Sequence, residues 1–316
     1  MTRLPKALAF VLVAGGAGCG TEPPALYGDV RTPSTPGGDS QPVCAEPSTN
    51  GVPIEDRPNY EERLALYAAD RARVEPGKTG WPDFPAVRPL LWSDTLGQAG
   101  RAHSTDMRDT PCFAHTSCDG TDPFDRIKSY WKMSFATMGE NIAAGITDGI
   151  TVIESSWINE MGAAPGETGH RENMFNAMYD YVGFGYEEGG SKYHGYWTQD
   201  FAGVGGKPKI PRLVVGSHFP QAANEMVTFG TVYFDDGGVA PERVEVVIDK
   251  KATVLSLARG KDAAGAYEGA VMVPAGCHRY SFHAITGGKV SCYPGTGTLG
   301  IGSADAANCP AYAPGE

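Results

Sequence analysis

The chain has 316 residues, 41% of them hydrophobic and 20% charged, with a formal net charge of −11. That length accommodates two ordinary cores, and the composition is too polar for a polytopic membrane protein. The acidic balance, unbroken by any basic run, argues against nucleic acid as a partner, because phosphate binding rests on Lys and Arg neutralising a dense negative charge.

Residues 1–19 read as an export signal. Arg3 and Lys6 supply the positive end, and Ala7 to Ala14 form an apolar run, too short to span a bilayer, followed by small residues. Gly16-Ala17-Gly18-Cys19 resembles a bacterial lipobox, with Gly16 where Leu is usual. On that reading Cys19 is a lipid anchor and the chain's one attachment to a membrane; on the plainer one, signal cleavage discards it. Export makes disulfides the default state of Cys44, Cys112, Cys118, Cys277, Cys292 and Cys309. Cys112 and Cys118 are close enough to staple a single loop that carries His115 between them, which would pre-organise the imidazole. A zinc site on these two thiols would lack a second close pair. The pairing of Cys44, Cys277, Cys292 and Cys309 stays open.

Residues 20–56, rich in Pro, Gly, Ser and Thr, read as a flexible linker. From Pro58 a helical pattern places Tyr60, Leu64, Tyr67 and Val74 on one face, and Pro76-Gly77 stops it. Ser93 caps a second helix with Leu96, Ala99, His103 and Met107 on its apolar stripe, where His103 reads as a packed core residue. A third helix is expected near Asp148, with Ile150, Ile153, Trp157 and Met161 at helical spacing. Val182, Phe184 and Tyr186 alternate with other residues from Tyr181, the chain turns through residues 187–191, and it returns from Tyr193 to Phe201 as a hairpin that buries Trp197. Residues 203–208 read as a linker. Beyond them the β-type runs Met226 to Phe234, Val244 to Ile248, Tyr267 to Val273 and His278 to Ala284 predict a smaller all-β sandwich of immunoglobulin-like type over residues 208–316.

The chemistry concentrates in four short contexts: Phe113-Ala114-His115-Thr116, Gly139-Glu140-Asn141, Trp157-Ile158-Asn159-Glu160 and Gly169-His170-Arg171, followed by Tyr196-Trp197-Thr198-Gln199-Asp200-Phe201. Two imidazoles and two carboxylates in one cleft would make a partial metal site or an acid/base cluster. With Arg71-Ala72-Arg73, Pro89-Leu90-Leu91-Trp92 and Ala102-His103-Ser104 before them, these contexts stand in the order found in the CAP superfamily, the cysteine-rich secretory, antigen-five and pathogenesis-related proteins. The chain resembles that family from about Asn59 to Phe201. The resemblance implies an α/β fold, an α-β-α sandwich over residues 57–204, with an open cleft. It implies His115 and His170 as contacts for zinc or another divalent metal, with Glu140 and Glu160 bonded to the imidazoles or to bound water. Glu167, in an extra stretch before Gly169, competes with Glu160 for the fourth place. Asn141 is expected to fix a loop carrying Glu140 through backbone hydrogen bonds, and Arg126 and Arg171 to pair with carboxylates at the surface. His194, His218, His278 and His283 join no ligand set.

Two functions follow as expectations. The first is a secreted or outer-envelope module binding a lipid, sterol, peptide or envelope component, with a His/Glu cleft able to take a divalent metal and no organic cofactor. The alternative is a metal-dependent peptidase in which Glu140 or Glu160 serves as the catalytic base. The chain has no His-Glu-x-x-His helix, no Gly-x-Ser-x-Gly elbow and no reactive thiol in a recognisable setting, so the balance leans to binding.

Overall fold

A computed structural model describes residues 12–13, 57–110, 112–161, 168–303 and 309–313. These fall into two units: residues 12–13 with 76–208, and residues 57–75 with 209–313. Of the expected export signal only Leu12–Val13 is described, as a two-residue strand; Cys19, Cys44, Glu167 and the linker up to residue 56 lie outside the described residues.

The first unit is built on one sheet of β1 (Leu12–Val13), β2 (Leu91–Trp92), β3 (Thr137–Ala144), β4 (Tyr181–Glu188) and β5 (Gly195–Gly203), in the order β1-β3-β5-β4-β2. All pairs are antiparallel except β2 with β4. Strand β5 is buried throughout and β3 nearly so, so both faces of the sheet are covered, as in a layer held between helices. One face carries α2 (Asp94–Asp109), which packs on β4 and β5, and α3 (Pro123–Tyr130) beside it. Against β3 lie α5 (Gly169–Met174) and the helical segment 149–158. The result is an α/β architecture with helices on both sides of the sheet.

Local chemistry sets these elements. The Ser93 side chain caps α2 by accepting from the Leu96 amide at 3.3 Å, and Asp94 in the first turn and Arg108 in the last complement the helix dipole. α2 then approaches β4 almost backbone to backbone. A Cβ on Gly185 would stand 2.1 Å from the Arg101 nitrogen and the Gly100 carbonyl carbon, and one on Gly183 as close to Leu96 and Gly97. Ser104 uses that proximity to donate to the Gly185 carbonyl at 2.9 Å.

The third helix starts where expected, with Asp148 capping the Thr151 amide at 2.8 Å. After α4 (Gly149–Thr151), however, it widens into a π-helical stretch, Val152–Ile158. Ile153 and Trp157 keep their buried places, but the helix ends before Met161, which is 62% exposed instead of joining the stripe. The chain leaves through Glu160 at φ 51°, in the left-handed region that few non-glycine residues adopt.

In the second unit, α1 (Tyr60–Val74) accompanies ten strands: β6 (Leu213–Phe219), β7 (Glu225–Phe234), β8 (Arg243–Ile248), β9 (Lys251–Val254), β10 (Ser256–Lys261), β11 (Ala264–Val273), β12 (Cys277–Thr286), β13 (Lys289–Tyr293), β14 (Thr298–Gly302) and β15 (Tyr312–Ala313). One sheet runs β10-β11-β7-β6, the other β15-β14-β12-β8-β9 with β13 also on β12. They meet face to face: the Phe282 ring fills the space left by Gly216, and the Tyr233 hydroxyl lies 3.1 Å from Thr286 Oγ1. Cys277 is bonded to Cys309, and Cys292 is disulfide-bonded as well.

The expected division put residues 57–75 with the α/β part, whereas the structure groups α1 with the β strands. The cause is specific. Tyr67 and Arg71 both bond Glu268 of β11, at 2.6 and 2.8 Å, the Tyr67 ring sits over Gly230 of β7, and Glu75 accepts from the Gly260 amide at 2.8 Å.

Candidate functional site

The His115 loop is fixed at three points. Cys112 and Cys118 are bonded to each other, the Cys118 amide donates to Asp106 Oδ2 at 2.7 Å, and Arg126 donates to the His115 carbonyl at 3.2 Å and to Ser117 Oγ at 2.7 Å. Arg126 comes from α3, a helix absent from the sequence expectations although Asp122 caps it and Pro123 opens it. The guanidinium lies inside the unit, 6% exposed, so the expected surface pairing is wrong for this residue. Its partner is Glu140.

Glu140 lies on β3, fully engaged: Oε1 is 2.7 Å from His115 Nδ1, and Oε2 accepts from Arg126 Nη2. Burial opposes its ionisation, but the His115 hydrogen bond and the Arg126 charge outweigh it and hold the carboxyl down to about 2. The second pair is built alike. Glu160 Oε2 is 2.7 Å from His170 Nδ1, while Oε1 accepts from the Arg171 amide at 2.9 Å. The left-handed turn at Glu160 aims that carboxylate back at the start of α5. Glu160 therefore stands beside His170, the place the resemblance implies.

Each imidazole thus gives Nδ1 to a carboxylate. A carboxylate only accepts, so Nδ1 carries the hydrogen, and Nε2 is the atom that offers a lone pair whenever the ring is neutral. Both Nε2 atoms are buried and have no hydrogen-bond partner among the described residues. The His side chains themselves remain slightly open, 13% exposed for His115 and 11% for His170.

The two pairs are tied by a buried amide network. Asn141 stands in a strand rather than a loop, so it works through its side chain and not as a turn former. It donates to Gln199 Oε1 at 2.9 Å and to the His170 carbonyl at 3.3 Å, and accepts from Asn173, which also reaches the Glu140 carbonyl. Arg171, expected at the surface, is 5% exposed; it donates to the Ile158 carbonyl, and its guanidinium carbon stands over Trp81, 3.3 Å from the ring centroid. Trp81 in turn donates to Asn159 at 3.1 Å.

Among the described residues, the one group of three metal-type ligands within 4.8 Å of one another is Asp106, Cys112 and Cys118, and its thiols are spent in the disulfide. The two His–Glu pairs form no such three-ligand cluster. The remaining histidines have structural places. His103 is buried, with Nε2 3.0 Å from the Ala114 carbonyl, and burial pushes it down to about 4. His218 bonds Tyr280 and the Gln221 carbonyl, His278 bonds Asp249, and His283 lies 3.0 Å from Ser281 Oγ. His194 adopts a positive φ at the tip of the β4–β5 hairpin. Trp197 is fully buried on β5, as expected.

Sequence reasoning misses Arg126, Trp81 and Asp200. The last faces Glu140 directly across β3 and β5. Its signal is Gln199-Asp200 in a buried strand, which acquires meaning only when the register is known.

Residues 86–201 match the family model described as CAP, the cysteine-rich secretory protein family. The chain is 38% identical over 117 residues to the uncharacterized protein YkwD of Bacillus subtilis (strain 168), covering 37% of this chain and 40% of that one. Among solved structures it is similar to an extracellular protein containing a SCP domain from Bacillus anthracis str. Ames, at 29% identity and a TM-score of 0.30, over 37% of this chain and 34% of that one. It is also similar to an outer surface protein from Borrelia burgdorferi, at 20% identity and a TM-score of 0.35, over 51% of this chain and 99% of that one. The chain thus spans well under half the length of the first relative in each comparison. The family match encloses His115, Glu140, Glu160 and His170 together, and residues 86–201 of this chain are a CAP domain.

Proposed function

We propose that this protein is a secreted or outer-envelope binding module whose CAP domain holds a divalent metal, zinc being the natural probe, between His115 and His170. The observation that carries the reading is the pair of buried, unpartnered Nε2 atoms, each on a ring whose other nitrogen is fixed by a carboxylate. Such a carboxylate–histidine arrangement orients the ring and raises its basicity as a ligand. A bound cation would supply a Lewis-acidic point for the polar end of a lipid, sterol, peptide or envelope ligand. The disulfides fit an oxidising compartment. Cys19, in its lipobox-like context, is the proposed anchor; among the described residues no helix is long and apolar enough to cross a membrane.

Binding is favoured over hydrolysis by the state of the carboxylates. Both oxygens of Glu140 and both of Glu160 already accept hydrogen bonds from protein groups, so each carboxylate is engaged in orienting an imidazole rather than standing free as a base. Calorimetric titration with zinc at neutral pH is expected to show saturable one-site binding that is lost in a His115→Ala/His170→Ala variant. Equal heats from both proteins would refute a site between these rings.

A further inference from the structure

Beneath His115 the interior holds one carboxyl group more than its cations can balance. Glu140 on β3 and Asp200 on β5 are directly opposed in the antiparallel ladder, so their side chains leave the same face of the sheet as near neighbours. On its other side Asp200 is opposed by Gly183, whose missing side chain lets α2 press onto that face. Both acids are buried, Glu140 at 3% exposure and Asp200 at zero. The groups facing them are Arg126 from α3 and His103 from α2. Arg126 spends its charge on Glu140, and burial keeps His103 neutral. Neither oxygen of Asp200 has a hydrogen-bond partner among the described residues. Two adjacent buried anions sharing one guanidinium would repel each other without solvent to screen them, which is the condition under which one carboxyl keeps its proton.

We infer that Asp200 is a positioning residue, a neutral carboxylic acid at physiological pH whose O–H donates to the Glu140 carboxylate. The consequence deepens the function proposed above and rests on it. Glu140 is the anion of the pair and takes hydrogen bonds from Arg126, His115 and Asp200. That fixes the hydrogen of His115 on Nδ1 and leaves Nε2 as the ligand atom. The proton stays within the dyad: it is bonded to Asp200 and shared toward Glu140, with no net transfer. The inner wall therefore carries one negative charge on Glu140 balanced by one positive charge on Arg126. Burial and the neighbouring Glu140 charge both push the Asp200 carboxyl well above the usual carboxylate range, consistent with this assignment.

The test is infrared spectroscopy of the full chain labelled with carboxyl-13C aspartate, at neutral pH and without metal. A carboxylic-acid C=O band that moves with the label, shifts on deuteration and disappears in Asp200→Asn is the expected result. A folded wild-type protein with no such band, or a band that survives in a folded Asp200→Asn variant, overturns the inference. The wild-type spectrum decides even if the variant does not fold. Zinc binding without the band would sink this assignment and spare the metal-binding reading; the band without zinc binding would do the reverse.

Discussion

Glu140→Ala is expected to destabilise the CAP domain by about 3 kcal/mol, the low end of the range for removing one partner of a buried ion pair. Arg126 is 6% exposed, its remaining hydrogen bonds go to the uncharged His115 carbonyl and Ser117, and the one carboxyl left beside it, Asp200, can balance it only by ionising at the cost of its burial. His115 would lose the partner of its Nδ1 in the same substitution. Tryptophan fluorescence during urea unfolding reads this unit alone, because Trp81, Trp92, Trp131, Trp157 and Trp197 all lie between residues 76 and 208. A loss below about 1 kcal/mol, the scale of an exposed pair, would show that Glu140 and Arg126 are not locked together.

Gly185→Ala is expected to cost about 3 kcal/mol, at the upper end of the usual overpacking range. Both sides of the contact are backbone: the added carbon would meet the Gly100 carbonyl and the Arg101 nitrogen at 2.1–2.3 Å. No side chain can rotate away, so α2 itself must lift from the sheet and carry Ser104 off the Gly185 carbonyl. Gly206→Ala is the matched control, since nothing lies within 4 Å of a Cβ there. Equal unfolding midpoints for the two variants would contradict the close approach.

Much of this architecture is legible because local signals and buried patterns agree. Ser93 and Asp148 start helices where caps predict them, and the 181–201 hairpin follows its alternation. The four site residues are found through their contexts, and they fall within the matched family segment. What stays hidden depends on tertiary register. The π-helical widening after Thr151 follows no composition rule, yet it sets where Glu160 emerges. Arg126 reads as a surface cation because its helix has eight residues and one strong cap, with nothing in the sequence to say that its charged end turns inward. Asp200 becomes a neighbour of Glu140 only through the pairing of β3 with β5. Helix α1 carries a face that suits any apolar partner, and Glu268, about 200 positions away, determines the one it takes.

A metal site between His115 and His170 requires both imidazoles to be held with hydrogen on Nδ1 and a lone pair on Nε2. Long-range proton–nitrogen correlation spectra of 15N-histidine-labelled protein report the tautomer of each ring directly, before and after zinc is added. The expected spectrum shows hydrogen on Nδ1 of His115 and of His170, with zinc perturbing their Nε2 resonances and leaving His218 unchanged. Hydrogen on Nε2 with none on Nδ1 of either ring in the metal-free protein would contradict the pairing with Glu140 and Glu160, and with it the site built on them.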